Sequence, residues 1–218
     1  MTSSQMTPAT QAFYFGTFNP VHWGHLLIAQ AALNQFALAR VVFVPAACSP
    51  FRQQETDMAS GADRLAILRR AIADNPGFAV DSIEIDRDGD GPSYTIDTIR
   101  ALRARDASIL TSDGRLAVII GSDALSQTPR WRDPRALMAA TLWLQAPRPE
   151  TPPVEALAFE GEPLPLATRL IDAPANALSA SRVRAALRAG QSARYLTPDA
   201  ALDLIHERRL WQNPEKRA

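Results

Sequence analysis

The stretch Phe13-Tyr14-Phe15-Gly16-Thr17-Phe18-Asn19-Pro20-Val21-His22-Trp23-Gly24-His25 constrains the fold more than any other. An apolar run closes at Gly16, a loop follows, and helical periodicity opens near Trp23 with Leu26, Leu27, Ala31 and Leu33. A strand, a tight turn and a helix start, in that order, mark a nucleotide site in an open α/β sheet. Gly16 lets the backbone approach a phosphate closely. Pro20 holds the preceding residue out of the helical region, so the helix begins after it. His22 and His25 stand three apart and share one face at the helix start, beside amide donors that have no intrahelical acceptor and the positive end of the dipole. Two imidazoles and a helix N-terminus form a clamp for a phosphate group. The chain has three histidines, and two of them fall in this junction, which favours function over a buried core role for either. A structural zinc site is disfavoured because no third ligand lies at close spacing.

The remaining elements alternate in the manner of a parallel α/β sheet. Arg40–Pro45, with Val41, Val42, Phe43 and Val44, reads as a fully buried strand, and the loop after it, Ala46 to Arg52, belongs at the ligand-binding end of the sheet. Cys48 in that loop reads as a small apolar filler. Helices are expected over 23–37, 63–73 and from Ser93, as a cap, to Arg105. Strands are expected over 78–85, 116–120, 141–145 and 166–171, with a short helix at 135–139. Arg64, near the start of the helix over 63–73, reads as a surface arginine at least as readily as one with a structural or functional role. Asp86, Asp88 and Asp90 alternate as in a calcium loop but lack the closing Glu. Asp123, after the strand ending at Ile120, is placed to accept ribose hydroxyls or to cap the helix from Ala124. The proline-rich stretch 146–165 reads as coil or polyproline II. Ser179 or Ser181 caps a helix ending near Gly190, whose N-terminal amides, hydroxyls and Arg184 suit a phosphate. A last helix covers 200–208.

The sequence reads as a tail over 1–11, one domain over 12–211 with a C-terminal helical part from about 178, and a frayed end over 212–218. Lys plus Arg equals Asp plus Glu at 23 each, so net charge gives no argument for nucleic acid or membrane. A lone cysteine, no secretory leader pattern and no long apolar run point to the cytoplasm.

The chain resembles the bacterial nicotinate-nucleotide adenylyltransferases of the nucleotidyltransferase superfamily. Four stretches carry the resemblance: His22-Trp23-Gly24-His25 on the His-x-Gly-His signature, Ser93-Tyr94-Thr95, Gly121-Ser122-Asp123-Ala124-Leu125, and Leu178 to Arg184 on the Ile-Ser-Ser-Thr-x-Ile-Arg signature. They occur in the family's order, from Phe13 to about Leu210. Phe15 departs from a usual glycine, Asn19 from a frequent Asp, Phe51-Arg52 from His-Lys, and Ala180 from a second hydroxyl. The resemblance implies a Rossmann-like parallel sheet with helices on both faces and a small C-terminal helical segment. It also implies AMP transfer from ATP to nicotinate mononucleotide in NAD biosynthesis, with Mg²⁺ carried mainly by the ATP phosphates and no protein metal site. On this reading His22, His25 and Arg184 are catalytic. Gly16, Thr17, Phe18, Gly24, Arg52, Ser179 and Ser181 join them in holding ATP. Phe18, Asn19, Tyr94, Thr95, Asp123 and Trp131 hold the nicotinate nucleotide. The alternatives are an adenylyltransferase that takes nicotinamide mononucleotide or both nucleotides, and a nucleotide-binding regulator without turnover.

Overall fold

A computed structural model describes residues 10–47, 57–87 and 92–212. Cys48, Phe51, Arg52, Asp88 and Asp90 lie outside the described residues. The strands β1 (Gln11–Gly16), β2 (Arg40–Pro45), β3 (Phe78–Val80), β4 (Leu116–Gly121), β5 (Thr141–Ala146) and β8 (Thr168–Leu170) form one sheet in the order β3-β2-β1-β4-β5-β8. Every pairing in it is parallel. Chain order reverses between β1 and β4, so the crevice beyond their C-terminal ends is the switch point at which open α/β sheets bind ligands.

Strand alternation sorts the core into two layers. Tyr14, Val41, Phe43, Ile119 and Leu144 face one side and pack under α1 (Trp23–Gln35), α2 (Gly61–Ala71), α6 (Ala180–Arg188) and α7 (Asp199–Glu207). Phe13, Val42, Val44, Val118, Ile120 and Trp143 face the other, under α3 (Thr95–Arg105) and α5 (Pro134–Ala140). Both faces are covered, which is why these strands read as continuous apolar runs.

Several boundaries differ from the sequence-based expectation. The first strand starts at Gln11, inside the tail expected over 1–11, and the Thr10 carbonyl accepts from the Ala39 amide at 2.9 Å. The strand expected over 78–85 stops at Val80 because Asp81 turns the chain, its carboxylate accepting from the Ile83 amide at 3.0 Å. Helix α3 begins at Thr95 with Tyr94 at the cap, one residue later than a Ser93 cap would place it, and no side chain caps it. The coil expected over 146–165 contains a small antiparallel hairpin, β6 (Ala158–Phe159) with β7 (Glu162–Pro163), turned at Glu160 and Gly161, which both have positive φ. The remaining helix, α4 (Ser122–Leu125), is a single turn directly after β4.

Candidate active site

Two glycines and an aromatic ring set the first loop. Phe18, at φ 48°, tucks its ring beneath Gly16, where a Cβ would stand 2.9 Å from the ring. That ring is held edge-on by Tyr14, His25 and Phe43, with centroids 5.6, 5.0 and 5.6 Å away, so it has no room to yield. At Gly24 a Cβ would stand 2.5 Å from Asn176 Oδ1, so the missing side chain is what lets the segment before α6 close onto the start of α1. The Asn19–Pro20 peptide bond is cis.

His22 is the N-terminal cap residue of α1, and its backbone N–H donates to Nδ1 of His25 at 3.2 Å. An imidazole that accepts at Nδ1 carries its proton on Nε2 when neutral. The two rings stack with centroids 3.7 Å apart. Burial, then the charge of Arg148, lowers His22 to about 4. Burial, then His22, then Arg148 push His25 well below the ordinary imidazole range. Both are therefore neutral near pH 7, as donors rather than as cations. Nδ1 of His22 is buried and has no hydrogen-bond partner among the described residues.

These shifts make stability depend on pH. A histidine whose folded-state pKa is depressed is protonated more readily when unfolded, so stability is full above about pH 6.5 and is lost as pH falls. For His22, between 6.5 and about 4, the loss is about 3 kcal/mol. Urea midpoints at pH 7 and pH 4.5 are expected to show it, and His22→Gln is expected to flatten the dependence. An equal slope in both proteins would count against a buried neutral His22.

The cleft at the switch point encloses about 680 Å³. Gly16, Thr17, Phe18, Asn19, His22, His25, Thr95, Asp123, Trp131, Ser179 and Ser181 all line it, so most of the expected site residues converge. Ser179 caps α6, accepting from the Arg182 amide at 3.3 Å, and leaves that helix start facing the start of α1 across the cleft. A second cavity of about 300 Å³ is lined by Tyr94, Thr95, Trp131, Arg130, Arg132 and Glu84. It shares Phe15, Gly16, Thr17, Thr95 and Trp131 with the first, so the two are adjoining halves of one site. Gly24 sits behind the cleft wall as a spacer, and Arg52 lies outside the described residues. Arg184 is 6% exposed and does not line the cleft; its Nε meets Asp57 at 2.8 Å and its Nη1 donates to the Asn19 carbonyl at 2.8 Å.

The sequence reading missed several residues. Arg148 lines the cleft, and its Nε lies 3.4 Å from Oδ1 of Asp123. Its position two residues beyond β5, at the ligand-binding end of the sheet, was the available signal. Asn176 lines the cleft next to His22. Glu84 is buried in the wall of the second cavity and accepts from the Thr98 hydroxyl at 2.8 Å; burial raises it above the ordinary carboxyl range, opposed by hydrogen bonds from Thr98 and Ser93. Arg132 lies over the Tyr94 ring, 4.6 Å from its centroid. Among the described residues no three His, Cys, Asp or Glu side chains converge on a metal position, and no helix is long and apolar enough to cross a membrane.

The sequence profile of the cytidylyltransferase-like family matches residues 13–186. A Synechococcus sp. (strain JA-3-3Ab) protein named "Probable nicotinate-nucleotide adenylyltransferase" is 40% identical over 200 residues, 91% of this chain and 93% of its own length. A Streptomyces coelicolor protein of the same name is 36% identical over 197 residues, 90% and 98% of the two chains. Among solved structures, Plasmodium falciparum nicotinic acid mononucleotide adenylyltransferase complexed with NaAD superposes with a TM-score of 0.72 over 93% of this chain and 97% of that one. At 13% identity that likeness speaks for the fold.

Proposed function

Because this chain belongs to the cytidylyltransferase-like family, and within it to the nicotinate-nucleotide adenylyltransferases, we propose that the larger of these two adjoining cavities holds the ATP phosphates and the smaller one the pyridine ring. The reaction joins the AMP part of ATP to nicotinate mononucleotide, giving deamido-NAD and pyrophosphate. One observation carries the assignment of the two halves: the wall they share ends at the Gly16–Thr17 turn, directly before the stacked pair of imidazoles. An acceptor seated in the smaller cavity can therefore present its phosphate to a nucleotide held in the larger one.

The 5′-phosphate of the acceptor is ionised at neutral pH and needs no protein nucleophile. It attacks the α-phosphorus in line, and pyrophosphate leaves. The protein positions the two and stabilises the charge that develops. Nε2–H of His25 and the His22 ring donate to phosphate oxygens, with the first-turn amides of α1 and α6 behind them. Asp123 accepts ribose hydroxyls. Arg148 holds Asp123 in place and adds positive charge to the cleft. Mg²⁺ enters as part of the ATP substrate, on its phosphates. We place the enzyme in the cytoplasm, from its unpaired cysteine.

Substrate choice follows from the donors of the smaller cavity. Tyr94 leaves the start of α3 without a side-chain cap, so its first amides stay available, and the dipole there favours an anion. Arg130 and Arg132 add cations to the same walls, outnumbering Glu84. A ring carboxylate accepts from all of these. A carboxamide turns an NH₂ toward donors, which costs about 1–3 kcal/mol. A nicotinate preference of about 10-fold to 100-fold in kcat/KM is expected. Pyrophosphate release with saturating ATP and each mononucleotide tests it, and equal values would defeat the nicotinate reading while leaving adenylyl transfer standing.

A further inference from the structure

We propose that the hydroxyl of Tyr14 is a further catalytic donor, one that meets the α-phosphate oxygens in the larger cavity beside the imidazoles of His22 and His25. The proposal rests on the adenylyl-transfer reading above. Tyr14 stands in the central strand β1, paired with Phe43 on β2 and with Ile119 on β4. Strand alternation sends Phe13 and Phe15 to the face under α3 and α5 and leaves Tyr14 on the face of α1, the helix that carries His25. The one polar tip in this aromatic run therefore falls on the side where the imidazoles stand. Tyr14 lines the larger cavity and is 6% exposed.

The ring is fixed on three sides. Its centroid lies 5.6 Å from that of Phe18, 5.6 Å from that of Phe43 and 6.0 Å from that of His25. Its hydroxyl makes no hydrogen bond among the described residues. A buried tyrosine hydroxyl usually finds its partner within the protein. A donor held in place, largely kept from water and left unpaired fits an acceptor that arrives with the ligand. The charge of Arg148 acts on Tyr14, His22 and His25 alike, so the three side chains gather around one cation in the cleft. Burial pushes the phenol up to about 12, with Arg148 opposing and Asp123 adding to the rise, so the hydroxyl keeps its proton near neutral pH. A phosphate oxygen only accepts, whereas a ribose hydroxyl can donate to the Asp123 carboxylate and needs no second partner. The phosphate is thus the group that this phenol matches. No proton is transferred: the hydrogen bond strengthens as negative charge gathers on the phosphate oxygens.

Tyr14→Phe deletes the hydroxyl and keeps the ring and its packing. Its kcat in pyrophosphate release is expected to fall about 10-fold, with KM for nicotinate mononucleotide unchanged. Tm is expected not to fall, because no hydrogen bond within the described protein is lost. By calorimetry the variant is expected to bind AMP, which carries the α-phosphate alone, about 3-fold to 5-fold more weakly, and adenosine, which carries no phosphate, with the wild-type affinity. An unchanged AMP affinity overturns the proposal, because the phenol then touches no phosphate. An equal weakening of AMP and adenosine overturns it too, by placing the phenol on the ribose or the base. So does an unchanged kcat. Binding of AMP and adenosine requires neither turnover nor a pyridine mononucleotide, so this outcome is read separately from any failure of the substrate assignment.

Discussion

Replacing His25 by alanine is expected to lower kcat about 100-fold while leaving the fold in place. The ring partly faces the cleft, and its Nδ1 is engaged by the backbone N–H of His22 at 3.2 Å, so the remaining nitrogen, Nε2, carries the proton and is the donor left for a ligand. Because its pKa is held low, the imidazole enters the reaction neutral. Charge that gathers on the phosphate oxygens as pyrophosphate departs is met by a donor already in position, and such a donor is worth about 3 kcal/mol in a site closed to water. The ring also packs on Tyr14 and Phe18, so the alanine variant leaves a small cavity and a modestly lower Tm is expected. His25→Gln restores a donor and much of the volume, and is expected to recover part of the rate. The measurement is kcat beside the circular dichroism spectrum of each purified variant. An unchanged kcat in His25→Ala would remove His25 from the chemistry.

The parts legible in the sequence are those written in contiguous residues. The buried strands showed as runs such as Val41 to Val44 and Leu116 to Ile120, because a sheet covered on both faces has no polar side to alternate with. The Phe13–His25 junction showed because a strand end, a glycine turn and a helix start must be consecutive. The rest depends on pairs far apart in the chain. Arg184 reads as a phosphate ligand in its signature, yet its guanidinium sits on Asp57 and on the carbonyl of Asn19, 127 and 165 residues away. Nothing local announces such partners. The early end of β3 and the hairpin at 158–163 were missed for a different reason: a single Asp turn or two residues of pairing decides them, below the length at which periodicity is informative.

Arg64, one reading of which is a surface arginine, is buried instead, and its removal is expected to cost about 4 kcal/mol of stability. A polar residue in the first turn of α2 reads as a surface arginine; here it is 1% exposed. Its Nη1 donates to the carbonyl of Thr17 at 2.8 Å, its Nη2 to that of Ala47 at 3.0 Å and its Nε to that of Ala59 at 3.2 Å. These carbonyls belong to the loop after β1, the loop after β2 and the segment entering α2, so one planar fork fastens together the backbone that surrounds the cleft. Arg64→Met fills nearly the same volume and supplies no donor. Each buried carbonyl left without a partner costs about 1–3 kcal/mol, offset in part by no longer burying a cation. Arg64→Lys keeps the charge but reaches fewer of the carbonyls at once, so an intermediate loss is expected. Function should fall with stability, because the Thr17 carbonyl lies between Gly16 and the strained Phe18 in the turn that shapes both cavities. KM for ATP and for nicotinate mononucleotide are therefore expected to rise together in Arg64→Lys. Urea unfolding of both variants, with KM values for the lysine form, checks this. A loss below about 1 kcal/mol in Arg64→Met would mean that the loops hold their positions without the fork.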